Sequence, residues 1–187
     1  MQVGAEKKIW TDEALMALEH DGHKCELVEG EIIMSPVGMQ HEYVGAILLQ
    51  RLTEYVRKNR LGVVLGSSIG YRLKRGNVRS PDVSFISKNK LVGVKHPSKK
   101  FPHFAPDLAV EILSPDDTVE GLHQKIVEYF DNETKLVWVV NPEEQTVLVY
   151  HSPQPDTILR ISDQLQGENV VPGFTMQVAD LFAEFDF

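Results

Sequence analysis

The segment Asp107-Leu108-Ala109-Val110-Glu111-Ile112-Leu113 constrains the chain more than any other. A nearly continuous apolar run of this length reads as a strand covered on both faces, at the centre of a sheet. Side chains alternate along a strand, so Asp107, Ala109, Glu111 and Leu113 share one face. An ionised carboxylate such as that of Glu111 is costly there unless it is paired or bound to a metal. Glu111 is therefore either half of a salt bridge at the sheet end or a group with a chemical task, a metal ligand or an acid–base residue.

The flanking segments supply the rest of a sheet. Thr11 is placed to cap a short helix over residues 9–19. Residues 25–34 read as a hairpin turning at Glu29-Gly30, and 35–39 as a loop. Val44, Ile47, Leu48, Leu52, Tyr55 and Val56 recur at helical spacing and predict a helix over 41–60, with Gly62 as its stop signal. Short strands are expected at 63–65, 69–73 and 82–86, the last introduced by Pro81, with a turn at 74–77. Residues 88–106 form a long basic loop without period, a length that in a compact domain marks function or mobility. A second amphipathic helix is expected over 119–130, with Leu122, Ile126 and Tyr129 inward, then strands at 136–140 and 146–150. The C-terminal part suggests a hairpin pairing 158–161 with 170–174 and a last helical turn within 178–185. This order predicts an α/β fold with a mixed central sheet flanked by helices and an N-terminal hairpin. No Pro/Gly/Ser-rich linker divides the 187 residues, so one domain over 1–187 is expected.

Composition narrows the partners. No stretch approaches the ~20 apolar residues of a membrane span, and residues 1–8 lack the apolar region of a secretory signal. Cys25 is the lone cysteine, which excludes an internal disulfide and a cysteine-based zinc cluster, and without a Cys-His-Asn context it reads as a packing residue. A reducing compartment, the cytoplasm, follows as the expectation. Net charge is −8, yet residues 72–100 hold nine bases and one acid, a local +8, leaving −16 on the other 158 residues. Arg72, Lys74, Arg75, Arg79, Lys88, Lys90, Lys99 and Lys100 in this stretch are candidates for a phosphate-binding surface, the alternative being a solvated loop.

Asp82 gives Glu111 a partner in chemistry. Two carboxylates on neighbouring strands suit a hard divalent ion such as Mg²⁺, which takes oxygen ligands and keeps waters and substrate phosphates. Other chemistries fail on residues: there is no Gly-x-Gly-x-x-Gly, no Gly-x-x-x-x-Gly-Lys-Ser/Thr and no Gly-x-Ser-x-Gly. His96 and His103 lie in the basic loop without a recognisable zinc spacing.

Pro81-Asp82 followed by a strand carrying Glu111 resembles the PD-(D/E)XK nuclease superfamily. Cys25-Glu26-Leu27-Val28-Glu29-Gly30-Glu31, Met34-Ser35-Pro36, His41 at the head of a helix, and Val110-Glu111-Ile112-Leu113-Ser114-Pro115 together resemble, more specifically, the Uma-two family of restriction-endonuclease-like proteins. The similarity extends through 125–129 and 136–142 and covers roughly residues 10–182. It implies a restriction-endonuclease-like core, Mg²⁺ (or Mn²⁺) held by Asp82 and Glu111 with Glu26 or Glu31 adding a carboxylate, DNA as substrate, and a homodimer. The superfamily lysine is absent two residues after Glu111, where Leu113 stands. The resemblance implies its migration to the following helix as Lys125, at the border of that helix's buried face, where a snorkelling surface lysine is the alternative. His41 lies on the inward stripe of its helix, as a core histidine or a site residue. The implied activity is metal-dependent endonucleolytic hydrolysis of DNA. A non-cleaving nucleic-acid-binding module, or a hydrolase of another phosphorylated substrate, are the alternatives.

Overall fold

The computed structural model describes residues 10–17, 24–34 and 37–185. Parts of the expected helix at 9–19, of the Met34-Ser35-Pro36 motif and of the loop at 35–39 lie outside them. Strand β1 (Cys25–Val28) and strand β2 (Glu31–Met34) form the expected hairpin. Its turn uses positive φ at both Glu29 (φ 50) and Gly30 (φ 81), the twist that a two-residue hairpin favours. Helix α1 (Asp12–Met16) precedes it, and Thr11 accepts the N–H of Ala14 at 3.2 Å.

Helix α2 (Met39–Asn59) is the longest element. It ends with Arg60 in the left-handed region (φ 54), so the turn that Gly62 was expected to make falls two residues earlier. Gly62 is required for a different reason: a Cβ there would lie 2.0 Å from the carbonyl oxygen of Ile86 on the adjacent strand. Strands β3 (Gly62–Gly66), β4 (Tyr71–Arg72), β5 (Val78–Arg79), β6 (Val83–Ser87) and β7 (Leu108–Ile112) follow. Helix α3 (Val119–Asp131), capped by Thr118, leads into β8 (Leu136–Asn141), β9 (Thr146–Tyr150) and β10 (Pro155–Leu159). The short strands β11 (Gln164–Gln166) and β12 (Thr175–Gln177) pair with each other.

The central sheet has the order β10-β9-β8-β7-β6-β3 and is mixed, as expected. Strands β7 and β8 run parallel, joined through α3, and their neighbours are antiparallel. Strand alternation sends Leu108, Val110 and Ile112 to one face, where Val44, Leu48, Leu52 and Val56 of α2 cover them. Ala109, Val137 and Val139 face the other way and pack against Ile126 and Tyr129 of α3. Each large apolar side chain so buried contributes about 1.5–3 kcal/mol. Trp138, fully buried and stacked on Phe174, anchors the α2 side, and truncating it to alanine is expected to cost about 3–5 kcal/mol.

A second sheet, β2-β1-β5-β4, brings the hairpin alongside the segment preceding β6. Leu27 of β1 pairs with Val78 of β5, and the two pack with Leu15 of α1. The C-terminal expectation is corrected. Residues 155–159 return directly from β9 and add the sixth strand of the central sheet. The segment 170–174 carries Pro172 and a left-handed Gly173 (φ 80), and it forms the turn between β11 and β12 instead of a strand.

Candidate active site at the ends of β6 and β7

The register sets the site. Val83 of β6 faces Val110 of β7, so Asp82 and Glu111 come together at one end of the strand pair. Val110 belongs to the α2 face, and alternation therefore turns Glu111 toward α3. There it meets two α3 residues one turn apart: Tyr129 donates to Oε1 at 2.6 Å, and Lys125 donates to Oε2 at 3.2 Å. Asp82 is anchored from the other side. Its Oδ2 accepts the backbone N–H of Ile112 at 2.8 Å and lies 3.2 Å from Nε2 of His41, in the first turn of α2. Its Oδ1 accepts from Lys24 at 2.7 Å.

The hairpin adds a third acid. On β1, Cys25 and Leu27 pack into the α1 cluster, so Glu26 points the opposite way, toward β5 and α3. It accepts the Ser80 N–H at 2.9 Å and the Arg79 guanidinium at 3.1 Å, and it lies 3.7 Å from Lys125. Lys24, Glu26, His41, Asp82, Glu111 and Lys125 line one recess of about 40 Å³, bordered by Ile33, Val37, Ile112, Ser114 and Asp117. That is room for a few waters or an ion with part of its hydration shell.

Electrostatics separates the two central acids. Burial opposes ionisation of Asp82, but the His41 hydrogen bond and the Lys24 charge overcome it and hold the carboxyl well below the usual range. Burial dominates at Glu111 and raises its carboxyl, with Lys125 and Lys24 opposing and Asp82 and Glu26 reinforcing. Burial would discharge Lys125, yet Glu111 and Glu26 hold it protonated, above its ordinary value. The acidic donors are all carboxylate oxygens, the ligand type that Mg²⁺ and Mn²⁺ take, and a buried glutamate disfavoured as an anion is one that a cation would stabilise. The donor set fits such an ion. Among the described residues, no three His, Cys, Asp or Glu side chains already stand in a metal-holding arrangement; lysines stand against the two acids instead.

Residues 12–179 match the model of the Uma2 (Uma-two) family, described as "Putative restriction endonuclease". The chain belongs to the Uma2 family. Membership carries a nuclease-like function at the level of the family. The fold agrees with a solved structure from Anabaena variabilis ATCC 29413, described as "a putative nuclease belonging to DUF820", at a TM-score of 0.77 and 21% identity, covering 92% of this chain and 97% of that one. No curated protein matches the sequence.

The site residues expected of this Uma2 protein divide in the structure. Asp82, Glu111, Lys125, His41 and Glu26 converge on the recess. Glu31 does not line it; it is exposed at the turn end of β2, opposite Val28. Arg79, expected to face DNA, is 3% exposed and carries a bidentate pair with Glu128, at 2.6 and 3.1 Å, besides its contact to Glu26. Its guanidinium is spent inside the protein. Arg72 pairs with Asp12 at 3.1 Å, and Lys74 donates to the carbonyl of Asp131. Lys90 donates to the Ala105 carbonyl at 2.8 Å beside Asp107. Arg75, Lys88, Lys99 and Lys100 are exposed. The loop at 88–106 departs from the end of β6 opposite Asp82, about 17 Å away along the strand. Its Phe101 packs back on the Leu27–Val78 cluster.

Lys24 and Tyr129 are the residues that the sequence reading missed. From the sequence Tyr129 reads only as a core position, although its four-residue spacing from Lys125 puts both on one helix face. For Lys24 the available signal was its place two residues before Glu26, on the same side of an alternating strand.

Proposed function

We propose that the chain is an endodeoxyribonuclease dependent on Mg²⁺ or Mn²⁺, in which Asp82 and Glu111 hold the ion and Glu26 stands behind them. One observation carries this reading: two buried acids from neighbouring strand ends share a recess with the Lys125 ammonium, 3.2 Å from Glu111. A divalent ion, when bound, supplies Lewis-acid stabilisation of phosphoryl charge and lowers the pKa of a coordinated water.

The protein groups have separable tasks. The Ile112 N–H and His41 fix Oδ2 of Asp82, so the carboxylate is oriented before substrate arrives. Tyr129 does the same for Oε1 of Glu111. Lys125, kept protonated between Glu111 and Glu26, would neutralise charge on the scissile phosphate or steady the attacking water. Water oxygen attacks phosphorus and gives up a proton to solvent, one P–O bond breaks, and the leaving oxygen takes up a proton. Exposed Arg75, Lys88, Lys99 and Lys100 would hold the backbone away from the cut, since phosphate contacts position without specifying sequence. A homodimer would cut both strands, and the cytoplasm is the proposed location. No described helix is long and apolar enough to cross a membrane.

A second reading, a Uma2 module that binds nucleic acid without cutting, is favoured by the lysine partners already on both acids. The test is incubation of purified protein with Mg²⁺ or Mn²⁺ and supercoiled, linear or single-stranded DNA, beside the double variant Asp82→Ala/Glu111→Ala. Metal-dependent cleavage lost in the double variant supports the nuclease. DNA retention without cleavage supports the binding module. Neither cleavage nor retention points to another phosphorylated substrate.

A further inference from the structure

Each central acid is pinned by one oxygen and covered at the other. In Asp82, Oδ2 is fixed by the Ile112 N–H and His41, while Oδ1 carries Lys24 at 2.7 Å. In Glu111, Oε1 is fixed by Tyr129, while Oε2 carries Lys125 at 3.2 Å. The two covering lysines differ in how they are held. Lys125 has a second acid, Glu26, in direct ion-pair contact at 3.7 Å. Lys24 also feels the charge of Glu111, but among the described residues Asp82 is its one hydrogen-bond partner. The Lys24 side chain is 17% exposed, against 5% for Asp82, so it closes the acid from the solvent side.

We infer that Lys24 is a displaceable counter-ion: it reserves Oδ1 of Asp82 and must leave that oxygen when a divalent cation takes it. The inference rests on the metal-dependent reading above and goes beyond it by assigning a residue that sets the affinity of the site. Asp82 is too buried to stay anionic unpaired. A single ammonium on a flexible stem, with no other direct hydrogen bond in the described chain, is a partner that can be exchanged. The exchange keeps the acid paired in both states, at the cost of weakening the first ion to arrive. Once released, the ammonium stays near the mouth of the recess, where it suits a phosphate oxygen of the substrate.

The test is calorimetric titration of Mn²⁺ into DNA-free protein at fixed ionic strength. It compares wild type, Lys24→Met, Lys24→Arg, Asp82→Asn and the double variant Lys24→Met/Asp82→Asn, each checked for fold by circular dichroism. Lys24→Met keeps the length and removes the charge. It should bind Mn²⁺ at least about tenfold more tightly, because a unit charge a few Å from the ion no longer opposes it. The gain should vanish in the double variant, and Lys24→Arg should stay near wild type. Unchanged or weaker binding by Lys24→Met, with wild-type binding still lost in Asp82→Asn, overturns the inference and leaves the metal-dependent reading standing. Absence of Mn²⁺ binding in wild type and Lys24→Met alike overturns both.

Discussion

Tyr129 donates its hydroxyl to Oε1 of Glu111 at 2.6 Å from a fully buried place on α3. Burial and the neighbouring charges of Glu111 and Glu26 hold the phenol protonated well above its usual range, so it is a donor at neutral pH. Tyr129→Phe leaves that glutamate oxygen without its donor. We expect a loss of about 1–3 kcal/mol in denaturant unfolding. Cleavage should slow while DNA affinity holds, since Glu111 loses its orientation and no phosphate contact is removed.

Arg79 was expected at the DNA surface and is instead the buried cation between Glu26 and Glu128. Arg79→Met strands both acids. Breaking a buried pair from one side costs about 3–5 kcal/mol, which equilibrium unfolding would register. The salt dependence of DNA binding at a temperature where the variant is folded should not change. A smaller slope would return Arg79 to the DNA interface.

Lys88, Lys99 and Lys100 point into solvent from the loop at 88–106. If each neutralises one phosphate, replacing all three by glutamine lowers the log–log salt slope of DNA binding by about 2–3. Single-turnover cleavage at saturating DNA should be nearly unaffected, because none of the three lysines lines the recess that holds Asp82 and Glu111. An unchanged slope would make these lysines only a solvated surface.

His151 sits between two carboxylates, Glu168 at 2.6 Å and Asp156 at 2.7 Å. These hydrogen bonds, Glu168 first, raise its pKa above the ordinary histidine value. A raised histidine contributes stability that is fully present below the unfolded value of about 6.5 and is lost as pH rises through the folded value. The group is largely exposed, so the effect is small. NMR titration should show His151 above about 6.5 in wild type and moving down in Glu168→Gln. Titration at the same pH in both proteins would contradict the pairing.

The apolar setting of Glu111 and the Pro81-Asp82 step were legible because each is a local anomaly: a charge inside a buried strand, and an acid at a strand start. Lys125 was suggested by the family resemblance, which put the missing strand lysine on the following helix, and helix spacing alone left it equally a surface lysine. The contribution of the second sheet was not. Glu26 and Lys24 reach the site through one long-range pairing, Leu27 with Val78, which no local pattern announces. Arg79 shows the same limit in reverse. A run of bases reads as one surface, but β5 turns Arg79 inward while β6 carries the loop with Lys88 to the opposite end of the sheet. The expected pairing of 158–161 with 170–174 failed because strand periodicity alone does not choose the partner strand; the short return from β9 did.

The most direct measurement is single-turnover cleavage of supercoiled DNA in Mn²⁺, run beside equilibrium binding of the same DNA, for wild type, Asp82→Asn and Glu111→Gln. Both substitutions keep side-chain shape and remove the charge that would hold the ion. Each should slow cleavage by at least about 10²–10³, the scale of losing one electrostatic contact to a transition state, with DNA affinity within a few-fold of wild type. Wild-type cleavage rates in both variants, with folded protein and intact DNA binding, would contradict the assignment of Asp82 and Glu111 as the catalytic pair.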